Sequence, residues 1–97
     1  MRNSYSNMIN KIIDYEEGSL SNTESIELIQ DLINSGKVWK LQGSYGRIAS
    51  QLIESGHCVL GKKGHRDYYG NYVPSRTEVK PGTKGSTEYQ QKLQNID

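Results

Sequence analysis

Four residues between His57 and Asp67 are of the types that bind metals or act as nucleophiles. His57 and Cys58 are adjacent, and His65 and Asp67 follow a short distance along the chain. Neither spacing matches a recurrent zinc-ligand pattern. We therefore expect no catalytic residues, no metal site and no cofactor, and we do not expect an enzyme.

A basic, tyrosine-rich segment begins after residue 61. Residues 62–85 contain six Lys or Arg against two Asp or Glu, whereas residues 1–61 contain five against seven. Such a segment can track phosphates and stack on bases, but tyrosine and arginine also anchor protein interfaces. A solvated hairpin whose tyrosines cover one side of the core is the third interpretation. The candidate partner-binding residues are Lys62, Lys63, Arg66, Tyr68, Tyr69, Tyr72, Arg76, Lys80 and Lys84.

Two glycine-containing motifs have the form of anion-binding loops. The first, residues 43–47, should open a helix, where free amides could hold a phosphate or carboxylate at Ser44, Gly46 and Arg47. A tight turn with a serine cap is the simpler interpretation, because two glycines fall short of a nucleotide fingerprint. The second, residues 61–64, is similar to the KH loop that clamps nucleic-acid backbone. A KH loop leads into a helix, whereas the residues that follow here predict a hairpin.

A near-repeat in the sequence predicts the helices that position these residues. Residues 32–38, LINSGKV, recur as residues 52–58, LIESGHC, and each copy closes an apolar helical stripe with Ser-Gly. The repeat places Cys58 at the position of Val38. We therefore expect Cys58 to be a small buried hydrophobic residue rather than a reactive thiol.

Three helices are predicted for the first sixty residues. The first covers about 7–17 and stops at Gly18, the second is capped by a Ser21–Glu24 capping box and ends at Gly36, and the third begins at a Ser44 cap. They should pack as a small helical bundle. The predicted core consists of Ile9, Ile12, Ile13, Ile29, Leu32, Ile33, Ile48, Leu52 and Ile53.

The segment Val38–Leu41 is too short for another stable helix, so we expect an extended stretch or a turn that buries Trp39. A helix-turn-helix DNA reader is the natural alternative for a three-helix body. The predicted third helix, however, would present Arg47, Ser50, Gln51 and Glu54 to the groove. One arginine offset by one glutamate makes a poor base or phosphate reader.

The C-terminal part is predicted to be a hairpin followed by a short helix. Gly70-Asn71 between tyrosines favours a two-residue hairpin turn, and Pro81-Gly82 marks a second turn. Ser86 should cap a last helix that carries Tyr89, Leu93 and Ile96. The predicted fold is therefore mainly α (α+β, α-dominated): one domain, with a helical core over 1–60 and the basic hairpin arm and terminal helix over 61–97.

Bulk properties suit a small folded protein. The chain has 97 residues and a formal net charge of +1, and sixteen of its twenty Leu, Ile and Val residues lie in residues 1–60. One cysteine excludes an internal disulfide. No stretch has the length of a membrane span, and no apolar leader follows Met1. We expect a soluble intracellular protein.

Two longer motifs carry a family resemblance. The run WKLQGSYGRIA at 39–49 followed by LIESG at 52–56, and the run VPSRTEVKPGTKGS at 73–86, resemble a family of small uncharacterised proteins from tailed bacteriophages. The resemblance spans about residues 8–90. It implies the cytoplasm of an infected bacterium as the setting and supplies no catalytic residues.

In that setting, small non-enzymatic proteins commonly bind a host protein, including defence nucleases and RNA polymerase. The resemblance therefore implies a phage-encoded binding protein that engages a host protein or complex, inhibiting a defence or transcription complex by occlusion. Two alternatives stay open at this point. The protein could bind nucleic acid through its basic arm, or it could be a structural or assembly protein of the virion.

Overall fold

A computed structural model describes residues 4–41 and 43–94, with side chains from residue 10 onward. The described part is an α-dominated α+β fold, as predicted: helices α1 to α3, a hairpin of two short strands, and a terminal helix. In chain order the elements are α1 (Ser4–Glu16), α2 (Asn22–Ser35), a 3₁₀ helix (Lys37–Lys40), α3 (Gly43–Glu54), β1 (His65–Arg66), β2 (Tyr72–Val73) and α4 (Thr87–Gln94).

Helix α2 has the boundaries that its local sequence dictates. The Ser21 hydroxyl accepts the Glu24 amide at 3.1 Å, and the Glu24 carboxylate accepts the Ser21 amide at 2.9 Å, which completes the predicted capping box. At the other end Gly36 has φ +80° and donates its amide to the Ile33 carbonyl. A left-handed residue cannot continue a right-handed helix, so α2 stops there.

Helix α1 covers one side of α2, and a hydrogen bond between side chains joins it to α3. The Tyr45 hydroxyl donates to the Glu16 carboxylate at 2.7 Å, and burial together with this hydrogen bond raises the pKa of Tyr45 to about 12.

The prediction that Ile13 belongs to the core is wrong, because 47% of its surface is exposed. A helix that packs on one neighbour buries a narrow stripe, and Ile12 occupies it. The Ile9 side chain lies outside the described residues.

The segment after Gly36 is a single 3₁₀ turn, one of the two expected forms, and Trp39 packs against the core but is only partly buried. The Trp39 amide donates to Gly36 and the Leu41 amide donates to Lys37. A 3₁₀ helix has three residues per turn, so this short stretch directs one side chain inward. That residue is Val38, which is fully buried, while Trp39 is only partly buried.

The core lies between α2, α3 and the segment that follows α3. Of the predicted core, Ile29, Leu32, Ile33 and Ile53 are buried, and Ile12, Ile48 and Leu52 pack against them half-buried. The prediction for Cys58 is confirmed: it is 1% exposed, like its repeat partner Val38 at 0%. Further buried positions are Leu28, Tyr45, Ala49, Val59 and Leu60.

Two side chains of α2 attach the chain after α3 to the helical body. The Gln30 side chain accepts the Val59 amide at 2.8 Å and donates to the Val59 carbonyl at 3.1 Å. Arg76 donates from Nε to the Leu60 carbonyl and from a terminal nitrogen to Asn34 Oδ1, both at 2.8 Å. The exposed end of the hairpin therefore extends from a base that is fixed to α2.

The remaining turns follow the sequence closely. Gly82 has φ +88° in the predicted Pro81-Gly82 turn. The Ser86 hydroxyl accepts the Tyr89 amide at 3.1 Å and so caps α4 as predicted. Ile96 lies outside the described residues. No helix in the described ranges is long and apolar enough to cross a membrane.

Candidate interaction groove

The hairpin loop is organised by one carboxylate. The strands pair His65 with Val73 and Arg66 with Tyr72, which leaves a five-residue loop, 67–71, where a two-residue turn was predicted. The Asp67 carboxylate accepts the amides of Tyr69 and Asn71, each at 2.9 Å, and the Asp67 amide donates to the Asn71 carbonyl. Aspartate favours such loops because its short side chain reaches amides two or more residues ahead.

Tyr68 and Tyr69 are held apart from the core by this loop. They are 76% and 85% exposed, and their rings meet edge to face with centroids 5.4 Å apart. The Tyr68 amide donates to the Trp39 carbonyl at 3.0 Å, which fixes the loop against the 3₁₀ helix. Two large aromatic side chains are thus exposed on a backbone that is itself well ordered by hydrogen bonds.

A groove of about 730 Å³ lies beside these rings, and we call it the tyrosine groove. Three elements form it: the 3₁₀ helix, one face of α3 and the hairpin loop. Its lining residues are Val38, Trp39, Leu41, Gly43, Gly46, Arg47, Ser50, Gln51, Asp67, Tyr68 and Tyr69. The positions on α3 are spaced by three and four, as expected for one helical face.

The groove joins two predicted sites that the sequence treated separately. Gly46 and Arg47, from the candidate anion-binding motif, line the same groove as Tyr68 and Tyr69 from the basic arm. Ser44 is exposed but does not line it. The prediction that Ser44 caps α3 is wrong, since the helix already begins at Gly43 and encloses Ser44 in its first turn. Exposed amides at a helix start can be satisfied by water, so no serine cap is required.

Three of the six predicted basic residues contact other groups of the protein. Arg66 donates to the Gly70 carbonyl at 2.9 Å and lies 5.9 Å from the centre of the Tyr72 ring. Arg76 points inward to α2, as described above, and Lys84 forms an exposed ion pair with Glu54 at 3.7 Å. Within the described ranges, Lys62, Lys63 and Lys80 are exposed and their side chains have no partner.

The Glu78 carboxylate joins the end of the hairpin to the residues that follow it, through hydrogen bonds from Tyr72 and Ser75 that we call the latch. The Tyr72 hydroxyl donates to the Glu78 carboxylate at 2.7 Å, and the Ser75 amide donates to the same carboxylate at 2.7 Å. The Ser75 amide, followed by the Tyr72 hydroxyl, lowers the pKa of Glu78 below its ordinary 4.5. The bond to Glu78 is also the main cause that raises the pKa of Tyr72.

The latch should make the stability of the protein depend on pH in the acid range. A carboxyl whose pKa is lowered on folding stabilises the protein above pH 4.5 and loses that contribution as the pH falls through the lower folded-state pKa. The Glu78→Gln variant should therefore unfold at lower urea than the wild type at pH 7. The two midpoints should converge as the pH falls below the lowered folded-state pKa of Glu78. A gap that persists unchanged in acid would show that charge on Glu78 is not the cause.

The residues considered for metal or nucleophile chemistry each have other surroundings. Burial raises the pKa of the Cys58 thiol to about 11, so the reactive thiolate is scarce at neutral pH. His57 Nδ1 lies 2.8 Å from the Ser55 hydroxyl, and the His65 ring packs beside Gly36. In the described part of the chain, no group of three His, Cys, Asp or Glu residues is placed to hold a metal ion.

Sequence reasoning missed the groove residues outside the two motifs. The sequence predicts a buried Trp39, singles out nothing at Leu41, and offers Ser50 and Gln51 only as DNA contacts. Asp67 carried a detectable signal, because Asp-Tyr-Tyr-Gly-Asn places an aspartate ahead of a glycine that adopts φ +85°. The groove itself had no local signal, since it exists only where three separated segments meet.

A comparison with protein-family models finds one match, described as "Domain of unknown function (DUF7417)", over residues 3–72. The matched region contains α1 to α3 and all the residues that line the tyrosine groove. A search of curated proteins finds no match, and a search of solved structures finds none either.

Proposed function

Because the chain belongs to the DUF7417 family, whose description assigns no activity, we propose its function from the groove itself: the protein is a non-enzymatic module that binds another protein through the tyrosine groove. The observation that carries this proposal is the exposure of Tyr68 and Tyr69, at 76% and 85%, at the edge of a concave surface. Tyrosine and tryptophan are enriched among the few residues that supply most of the energy of protein interfaces.

The order of the loop supports a binding role. Its amides are occupied by the Asp67 carboxylate, and the Tyr68 amide is bound to Trp39. A partner that docks here would not have to order the loop, so less of the contact energy would be lost to conformational entropy. Tyrosine adds to this effect, since it offers a large contact area with only two side-chain torsions to fix.

The distribution of charge favours a protein over a nucleic acid. A surface that follows a phosphate backbone needs several free cations in a row. Arg66, Arg76 and Lys84, half of the predicted basic set, have partners within the protein. One cation, Arg47, lines the tyrosine groove. Aromatic and aliphatic side chains with one cation and one carboxylate, Arg47 and Asp67, are the composition of a protein-binding groove.

The setting is part of the proposal. The motifs at 39–56 and 73–86 resemble small tailed-phage proteins, and this resemblance supports the cytoplasm of an infected bacterium as the location. The partner is then a host protein or complex, and binding inhibits it by covering a surface that it needs. Defence and transcription complexes are the first candidates.

A pull-down with matched variants tests the proposal. A tagged copy expressed in the bacterial host should recover one stoichiometric partner, identified by mass spectrometry. With that partner purified, Tyr68→Ala and Tyr69→Ala should each raise Kd about 30-fold, the effect of losing a 2 kcal/mol anchor. Lys80→Ala, a change at an exposed residue outside the groove lining, is the matched control and should leave Kd unchanged.

A stability measurement distinguishes the loss of a binding contact from unfolding of the variant. Both tyrosine side chains are largely exposed, so their truncation should leave the urea midpoint within the range of ordinary surface substitutions. If the double variant binds the purified partner as tightly as the wild type, the tyrosine groove is not the binding site.

A further inference from the structure

We infer that the occupant of the tyrosine groove is an acidic peptide segment with an aromatic or aliphatic anchor, presented by the partner protein. This inference rests on the proposed function and specifies its ligand. It follows from the charges that line the groove and its neighbour.

A second, smaller groove of about 240 Å³ shares Leu41 with the tyrosine groove. Lys37, Lys40 and His65 contribute to its lining. The two grooves are therefore adjacent at Leu41, and three described cations line one or the other: Lys37, Lys40 and Arg47. The combined surface is a basic channel interrupted by apolar side chains.

The surrounding body has the opposite charge. Residues 1–61 contain five Lys or Arg and seven Asp or Glu. Lys37, Lys40 and Arg47 line the two grooves, and in the described part of this segment none of its acids does. A mildly acidic body thus concentrates its positive charge along one channel. Such a field attracts acidic ligands and repels basic ones, which gives selectivity as well as faster association.

Among the described residues that line either groove, Asp67 is the one acidic residue, and its carboxylate is hydrogen-bonded by its own loop. Its carboxylate accepts the amides of Tyr69 and Asn71 at 2.9 Å, and Asn71 Nδ2 lies 3.5 Å from its second oxygen. A carboxylate surrounded by donors of its own loop opposes an incoming acidic group less than a free one would. The channel therefore keeps its net positive character.

The apolar walls define the rest of the ligand. Trp39, Leu41, Tyr68 and Tyr69 offer aromatic and aliphatic contact, and the volume of about 730 Å³ is typical of a cleft that encloses a small ligand. A cleft of that size takes a few side chains of a segment rather than a flat domain face. One apolar anchor flanked by acids satisfies both the walls and the cations.

A displayed library of random twelve-residue peptides, selected on the immobilised full chain at physiological salt, tests this inference. The selected sequences should combine a Trp, Phe or Leu with neighbouring Asp or Glu. The tightest peptide, labelled and titrated by fluorescence anisotropy, should bind Arg47→Glu/Lys40→Glu about tenfold more weakly, since each ion pair contributes up to about fivefold. Replacing its acids with lysine should restore binding to that variant and abolish binding to the wild type.

Lys63→Glu is the control, because it reverses an exposed cation that lies in neither groove lining. It should not change binding of the acidic peptide. Circular dichroism should show that all variants keep the wild-type helix content.

The outcomes are separable. Peptides that carry no excess of acids but are lost with Tyr68→Ala/Tyr69→Ala overturn the acidic ligand and leave the proposed function intact. Peptides unaffected by the tyrosine substitutions contradict the proposed function itself. A library without binders overturns the peptide inference, while the pull-down still decides the proposed function. A twelve-nucleotide oligothymidine that competes with the acidic peptide, with steep salt dependence, would favour a nucleic-acid ligand over a peptide.

Discussion

The Gly36→Ala variant should be less stable than the wild type by about 3 kcal/mol, because two separate costs act at this position. Gly36 has φ +80°, and a left-handed conformation costs an ordinary L-residue about 1–2 kcal/mol. In addition, a Cβ at this position would overlap the ring of His65. Relieving an overlap in a packed region typically costs a further 1–3 kcal/mol.

Gly18 provides a matched control. Its φ of +77° is nearly the same, but a Cβ built on it meets nothing within 4 Å. Gly18→Ala should therefore cost only the conformational term, about 1 kcal/mol. Urea unfolding of both variants gives the difference, which isolates the contact with His65. Equal losses in the two variants would show that His65 moves aside without cost.

The Gly36→Ala substitution should also alter the smaller groove. His65 begins β1, and the smaller groove is lined by both Gly36 and His65. A displaced ring would therefore shift the base of the hairpin and the lining of that groove. Gly36→Ala should consequently weaken partner binding as well as stability, whereas Gly18→Ala should spare binding.

What the sequence could predict was decided by local chemistry. The capping box at Ser21 and Glu24, the left-handed stop at Gly36 and the Ser86 cap each depend on residues within a few positions of one another. Interactions of that range are visible in a pattern of residue types. The repeat also predicted the burial of Cys58 correctly, because two copies of one pattern bury equivalent positions.

What the sequence could not predict depends on contacts between distant segments. Gln30 binds Val59 across 29 positions, and Asn34 binds Arg76 across 42. In the sequence, Gln30 and Asn34 have the same pattern as polar residues on the exposed face of a helix. Tyr68 and Arg47 were both candidate site residues, but nothing in their spacing showed that they face one groove. The hydrogen bond from the Tyr68 amide to the Trp39 carbonyl holds the hairpin loop against the 3₁₀ helix, which lines the same groove as Arg47. A bond between two backbone groups does not depend on residue type, so the sequence does not reveal it.

Replacing Arg76 with alanine should lower the free energy of unfolding by about 2–4 kcal/mol. Its guanidinium donates to the Leu60 carbonyl and to Asn34 Oδ1, both at 2.8 Å and partly buried. Hydrogen bonds from a charged donor contribute more than neutral ones, and the Leu60 carbonyl would lose its arginine partner. Arg76→Lys should recover only part of the loss, since one ammonium cannot reproduce the two-pronged geometry.

Lys80→Ala is the matched control, because Lys80 belongs to the same predicted basic set but is exposed and has no side-chain partner in the described ranges. It should change stability by less than about 0.5 kcal/mol. The comparison discriminates between two roles for Arg76. If Arg76 attaches the arm to α2, alanine lowers the urea midpoint in the absence of any partner. If Arg76 instead belongs to a binding surface, stability is unchanged and only binding is lost, and the basic arm would then have to be reconsidered as the binding surface.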